Sequence, residues 1–140
     1  MSFDASAAGR CVRVMVDWAN QRESFGRPLR EHGQIQRHLA ESYAEYRAAR
    51  ALVYDIARRF DLAATGQRLE ADAAKLFAAQ VGKRAADAAI QVLGGYGYMG
   101  ENVVERLWRD AKLLEIGGGT LEAHHRNLTK DLCRDPGQLV

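Results

Sequence analysis

The sequence has only two cysteines, two prolines and no long apolar run, and each scarcity removes a class of protein. Cys11 and Cys133 stand near opposite ends with no second pair beside them. That leaves neither a disulfide framework nor a thiolate metal site, and it favours a reducing, cytoplasmic setting. No apolar stretch approaches the roughly 20 residues that span a bilayer, and no signal-peptide pattern is visible, so a soluble protein without a membrane span is expected. An excess of one charge is also missing. The 20 basic and 18 acidic residues leave a net charge of +2, and the basic ones are spread singly, which gives no patch for nucleic acid. His32, His38, His124 and His125 lack the spacing that puts two ligands on one helix face, so no metal site is expected. Alternation of period two is absent as well, and no strand is expected.

Helical periodicity fills the space these absences leave, in a chain whose 140 residues suit a single domain. Ala8, Cys11, Val12, Met15, Trp18 and Ala19 recur at steps of three and four, which predicts a first helix over about residues 6–23. Phe25-Gly26 and Pro28 end it, and a charged loop runs to Gly33. A second helix is predicted from Gln34 to about Ala64, with Ile35, Leu39, Tyr43, Tyr46, Ala49, Val53, Ile56 and Phe60 on one face. Thr65-Gly66 breaks the pattern. The third helix, from about Leu69 to Leu93, places Ala74, Phe77, Val81, Ala85, Ala88 and Val92 together, and its many alanines imply close packing. Two shorter helices follow, so the expected fold is all-α: an up-and-down helical bundle of three long and two short helices. Apolar positions on more than one face of helices two and three suggest an oligomer, with Tyr43, Tyr46 and the third helix partly buried between chains.

Between Gln91 and Thr120 lie two glycine clusters, Gly94-Gly95 with Gly97 and Gly100, and Gly117-Gly118-Gly119. Gly94 or Gly95 can close the third helix in a left-handed conformation. Thr120 reads as an N-cap, so the second cluster presents a helix N-terminus, a place for an anion or a polar cofactor edge. Glu105 with Arg109 and Arg106 with Asp110 are four apart and should form ion pairs along the segment between the clusters.

Four motifs occur in order on this helical background: Arg22-x-x-Phe25-Gly26, Gln91-x-x-Gly94-Gly95-x-Gly97-Tyr98, Glu105-Arg106-x-x-Arg109-Asp110-Ala111 and Ile116-Gly117-Gly118-Gly119-Thr120. With them the chain resembles the C-terminal domain of the FAD-dependent acyl-CoA dehydrogenases, from about Ala8 to Leu132. The resemblance implies one helical domain over residues 1–140, with a truncated first helix and without the family's N-terminal α and middle β domains. It implies α,β-dehydrogenation of acyl-CoA thioesters with FAD as hydride acceptor and an electron-transfer flavoprotein downstream. It also implies a dimer or tetramer with flavin between subunits. Arg22, Glu23 and Ser24 match positions at the FAD diphosphate, and Phe25 matches the aromatic against the cofactor. Gln91, Val92, Leu93, Gly94 and Gly95 match the segment that meets the adenosine half of FAD from a neighbouring subunit. Thr120, Leu121 and Glu122 match further cofactor contacts, and Gly119 a substrate contact.

Two departures from the family pattern bear on function. Gly33 stands where relatives carry a glutamine, and Gly118 stands where many carry the glutamate that removes the substrate's α-proton. Members of the isovaleryl and long-chain types share the second departure and use a glutamate from an upstream helix. Glu115 and Glu122 are close in sequence, but neither is suited to replace the base. The chain alone is therefore expected to be inactive. The alternative is a non-catalytic assembly subunit, or a stand-alone bundle that completes a partner's cofactor site.

Overall fold

The computed structural model describes residues 2–61, 67–135 and 137, with side chains from Ala7 onward. The chain forms α1 (Ser2–Gln21), a two-residue hairpin of β1 (Glu23–Ser24) and β2 (Arg27–Pro28), and a 3₁₀ turn at Leu29–Glu31. It continues as α2 (Gly33–Arg59), α3 (Arg68–Leu93), a single turn α4 (Gly95–Tyr98), α5 (Val103–Leu114) and α6 (Leu121–Arg134). The all-α bundle is therefore observed, with one small exception. The hairpin escapes a periodicity argument because two-residue strands have no period to show, and α1 stops at Gln21 so that the chain can enter it. Helix two, expected to reach about Ala64, ends at Arg59, where Phe60 turns extended, and the Thr65-Gly66 break lies outside the described residues.

Helix α3 is the axis of the molecule. Ala74, Ala78, Ala79, Val81, Gly82, Ala85, Ala86, Ala89, Val92 and Leu93 are all buried along it. Buried positions this close together cannot lie on one stripe, and they are covered by α1, α2, α5 and α6 of the same chain. Within the chain, the small residues of α3 let its neighbouring helices approach closely. Glu45–Arg84 and Arg59–Glu70 pair in opposite order along α2 and α3, as antiparallel helices require. On α1 the expected stripe is buried at Ala8, Cys11, Val12, Met15 and Ala19, with Trp18 half-buried. Burial pushes the Cys11 thiol up to about 12, so it behaves as a small apolar core group.

Helix α2 follows its expected face less fully. Ala49, Val53 and Ile56 are buried and Tyr46 is half-buried, whereas Tyr43 is 50% and Phe60 45% exposed. Tyr43 and Tyr54 instead carry the guanidinium groups of Arg47 and Arg50 over their rings.

Candidate functional site

The polar loops gather at the two ends of α3. At its C-terminal end lies the hairpin that follows α1, whose register pairs Ser24 with Arg27 and leaves Phe25-Gly26 as the loop. Phe25 has φ 52° and Gly26 φ 75°, the positive pair of a type I′ turn, and Phe25 is 96% exposed. A left-handed phenylalanine costs about 1 kcal/mol or more, and here the side chain recovers nothing by burial. His32 donates from Nε2 to the Ser24 carbonyl (3.1 Å) and the Leu29 amide donates to the Arg22 carbonyl (2.8 Å), which ties the hairpin to the start of α2. Arg22 is exposed and forms no ion pair among the described residues.

Helix α3 ends beside this hairpin. Gly94 closes it at φ 61° and ψ −140°, a conformation open to glycine, and its amide donates to Ile90. Tyr96, on α4, stacks on Trp18 with ring centroids 4.8 Å apart, which fixes the glycine loop against the last turn of α1. Of the expected residues here, Val92 and Leu93 are buried in the core, while Gln91, Gly94 and Gly95 are exposed. The last three can therefore meet another molecule, and the first two position them. Gln91 lines a cleft of about 340 Å³ with His38, Glu41, Ser42, Arg84 and Asp87.

The second cluster lies at the other end. Lys75, on the first half of α3, donates from Nζ to the Leu114 carbonyl (2.6 Å), and its Cε is 4.0 Å from where a Cβ on Gly118 would stand. From Lys75 to Gln91 is about 24 Å along the helix axis, so the residues matched to cofactor contact fall into two separate groups. Thr120 caps α6, its hydroxyl accepting from the Ala123 amide at 3.2 Å. The Glu122 carboxyl is held below the usual range, first by its own backbone N–H and then by the Thr120 hydroxyl. Glu115 takes the Lys112 ammonium at 2.6 Å. Glu122 is thus a poor proton acceptor, Glu115 is engaged by Lys112, and Gly118, at φ 72°, brings no carboxylate. Glu105–Arg109 and Arg106–Asp110 form the expected ion pairs at 2.5 and 3.6 Å on the outer side of α5.

Two pairs between α3 and α6 have no sequence signal. Arg68 grips Asp131 in a fork, Nε to Oδ2 at 2.9 Å and Nη2 to Oδ1 at 2.5 Å, and Asp72 accepts from His124 Nδ1 at 2.9 Å. Partners 63 and 52 residues apart cannot be matched by spacing.

These features define a helical-bundle domain whose exposed, glycine-flanked loops are divided between its two ends. The family model for the acyl-CoA dehydrogenase C-terminal domain matches residues 2–133, and the chain belongs to that family. Mitochondrial isovaleryl-CoA dehydrogenase of Oryza sativa subsp. japonica is 41% identical over 125 residues, covering 89% of this chain and 30% of the relative. An acyl-CoA dehydrogenase of Bacillus subtilis (strain 168) is 44% identical over 119 residues, covering 84% and 31%. The solved structure of butyryl-CoA dehydrogenase from Megasphaera elsdenii superposes with a TM-score of 0.88 at 34% identity, over 94% of this chain and 34% of that one. The chain thus spans about a third of the length of these relatives.

Proposed function

We propose that this chain is the cofactor-contacting and assembly domain of an FAD-dependent acyl-CoA dehydrogenase, which forms the α,β double bond of an acyl-CoA thioester. The single observation that carries the reading is the division of the exposed matched residues between two ends of α3, about 24 Å apart. Such a division suits a flavin between subunits: each copy offers Arg22, Glu23, Ser24, Phe25, Gln91, Gly94 and Gly95 to a neighbour's flavin, and Thr120 and Glu122 to its own.

The residues fit the group. Arg22 presents a rigid donor fork without an ion-pair partner among the described residues, suited to diphosphate oxygens. An added Cβ on Gly94 or Gly95 would meet nothing within 4 Å, so the backbone there is open to a flat ligand. When bound, FAD accepts the hydride released from the substrate's β-carbon. The chain's own part is to hold the cofactor and to bring the Gly117–Gly119 backbone beside the thioester, Gly119 giving close approach. The α-proton goes to a carboxylate that this chain does not supply, because Gly118 occupies the usual position. Other domains, an electron-transfer flavoprotein as electron acceptor and a dimeric or tetrameric assembly belong to the same proposal. The few cysteines support a reducing compartment such as the cytoplasm. No described helix is long and apolar enough to cross a membrane.

The test is a chimera in which this chain replaces the C-terminal domain of the Oryza sativa isovaleryl-CoA dehydrogenase. The expected product purifies with flavin and reduces a dye with a panel of acyl-CoAs, and R22A releases the flavin. The chain alone purifies colourless and inactive. Flavin bound stoichiometrically by the chain alone, or a chimera indifferent to R22A, would overturn the reading.

A further inference from the structure

The Gly117–Gly119 loop has no side chains with which to hold itself, yet both of its ends are tied to one face of α3. Asp72 and Lys75 are three residues apart, neighbours on a helical surface. Lys75 donates to the carbonyl of Leu114, the last residue of α5, and so secures the chain entering the loop. Asp72 accepts from Nδ1 of His124, in the first turns of α6, and so secures the chain leaving it.

The His124 ring does more than reach Asp72. A Cβ placed on Gly119 would lie 2.9 Å from its Nε2 and 3.1 Å from its Cε1, so the imidazole is wedged between α3 and the loop backbone. Gly119 has φ 103°, and the next residue is the Thr120 cap of α6. Asp72 and His124 are both buried, and among the described residues neither Asp72 Oδ2 nor His124 Nε2 has a hydrogen-bond partner. An apolar pair would pack α6 on α3 without leaving buried polar atoms unpaired, so specification of one arrangement is the role left to this pair. Arg68 with Asp131 lies further along the same contact and has its own fork, so it does not substitute for this pair.

We infer that Asp72, Lys75 and His124 form a positioning clamp that fixes the Gly117–Gly119 backbone against α3. The clamp stands on the geometry of this chain, and its consequence for catalysis rests on the function proposed above. None of the three touches the reacting atoms. They act through the loop, and the residue at 119 must be glycine because a methyl group would strike the ring.

The test is amide hydrogen exchange by NMR on the 140-residue chain, with H124A, K75M, G119A and the double variant G119A/H124A. H124A and K75M are each expected to raise exchange at Gly117 to Thr120 about tenfold while protection in α1 and α2 is unchanged. G119A is strained at φ 103° in either background, so it should loosen the loop more when His124 is present than in H124A, the difference being the clash with the ring. Unchanged loop exchange, or an equal loss of protection throughout the bundle, overturns the clamp. Should H124A fail to fold, K75M and G119A carry the same comparison. In the chimera, K75M is expected to lower kcat about tenfold with KM changed less than about twofold, the mark of misplacement rather than lost binding. An inactive chimera with the unaltered chain refutes the proposed function and leaves the exchange result standing. Loosened loops with an unchanged kcat would refute the positioning role alone.

Discussion

At the residue scale, Phe25 combines two costs that a free-standing domain has no reason to keep, a left-handed backbone and a 96% exposed aromatic ring. Asparagine enters the left-handed region more readily than phenylalanine. F25N is therefore expected to stabilise the isolated chain by about 1 kcal/mol in urea unfolding, while the chimera carrying it retains less flavin. A destabilised F25N would mean that the ring is needed by the chain itself. Arg22-x-x-Phe25-Gly26 was legible as a motif because its residues are consecutive. Its turn geometry was not, since the positive φ at Phe25 is imposed by the hairpin pairing of Ser24 with Arg27. Gln91, Gly94 and Gly95 were likewise legible, but Val92 and Leu93, beside them in sequence, point into the core.

At the element scale, α6 is held to α3 by polar pairs as much as by apolar contact, and one of them makes this attachment depend on pH. The Arg68 guanidinium, first through its hydrogen bonds, holds the Asp131 carboxyl below the ordinary aspartate range against the opposing effect of burial. A carboxyl whose folded pKa is depressed adds stability above its unfolded value, and that stability is lost as pH falls through the folded one. The melting temperature of D131N should accordingly lie below that of the unaltered chain at pH 7. The gap should close as the pH drops below about 4. A gap that persists at low pH would show that the loss comes from packing. The helix itself was foreseen from Thr120 and the glycines before it. Its docking partner was not, because Asp72 with His124 and Arg68 with Asp131 join positions distant in sequence.

At the scale of the whole molecule, the closed core and the exposed ends make different demands. Tyr43 and Tyr54 on α2, Phe60 just after it, and Tyr98 and Met99 after α3 remain exposed apolar groups, and such groups in number mark a contact surface. Sedimentation of the chain at high micromolar concentration is expected to show a dimer or larger species. A monodisperse monomer would mean that assembly needs other domains. The all-α bundle, its helix order and its glycine stops could be read from the sequence alone, because helical periodicity and chain breakers act over neighbouring residues. Tertiary structure alone decided that α3 is buried on more than one side by its own chain, that the two glycine clusters stand at opposite ends of it, and that Asp72 and Lys75 clamp the second. Those outcomes depend on which faces meet across the bundle, and that is settled by packing of side chains far apart in sequence.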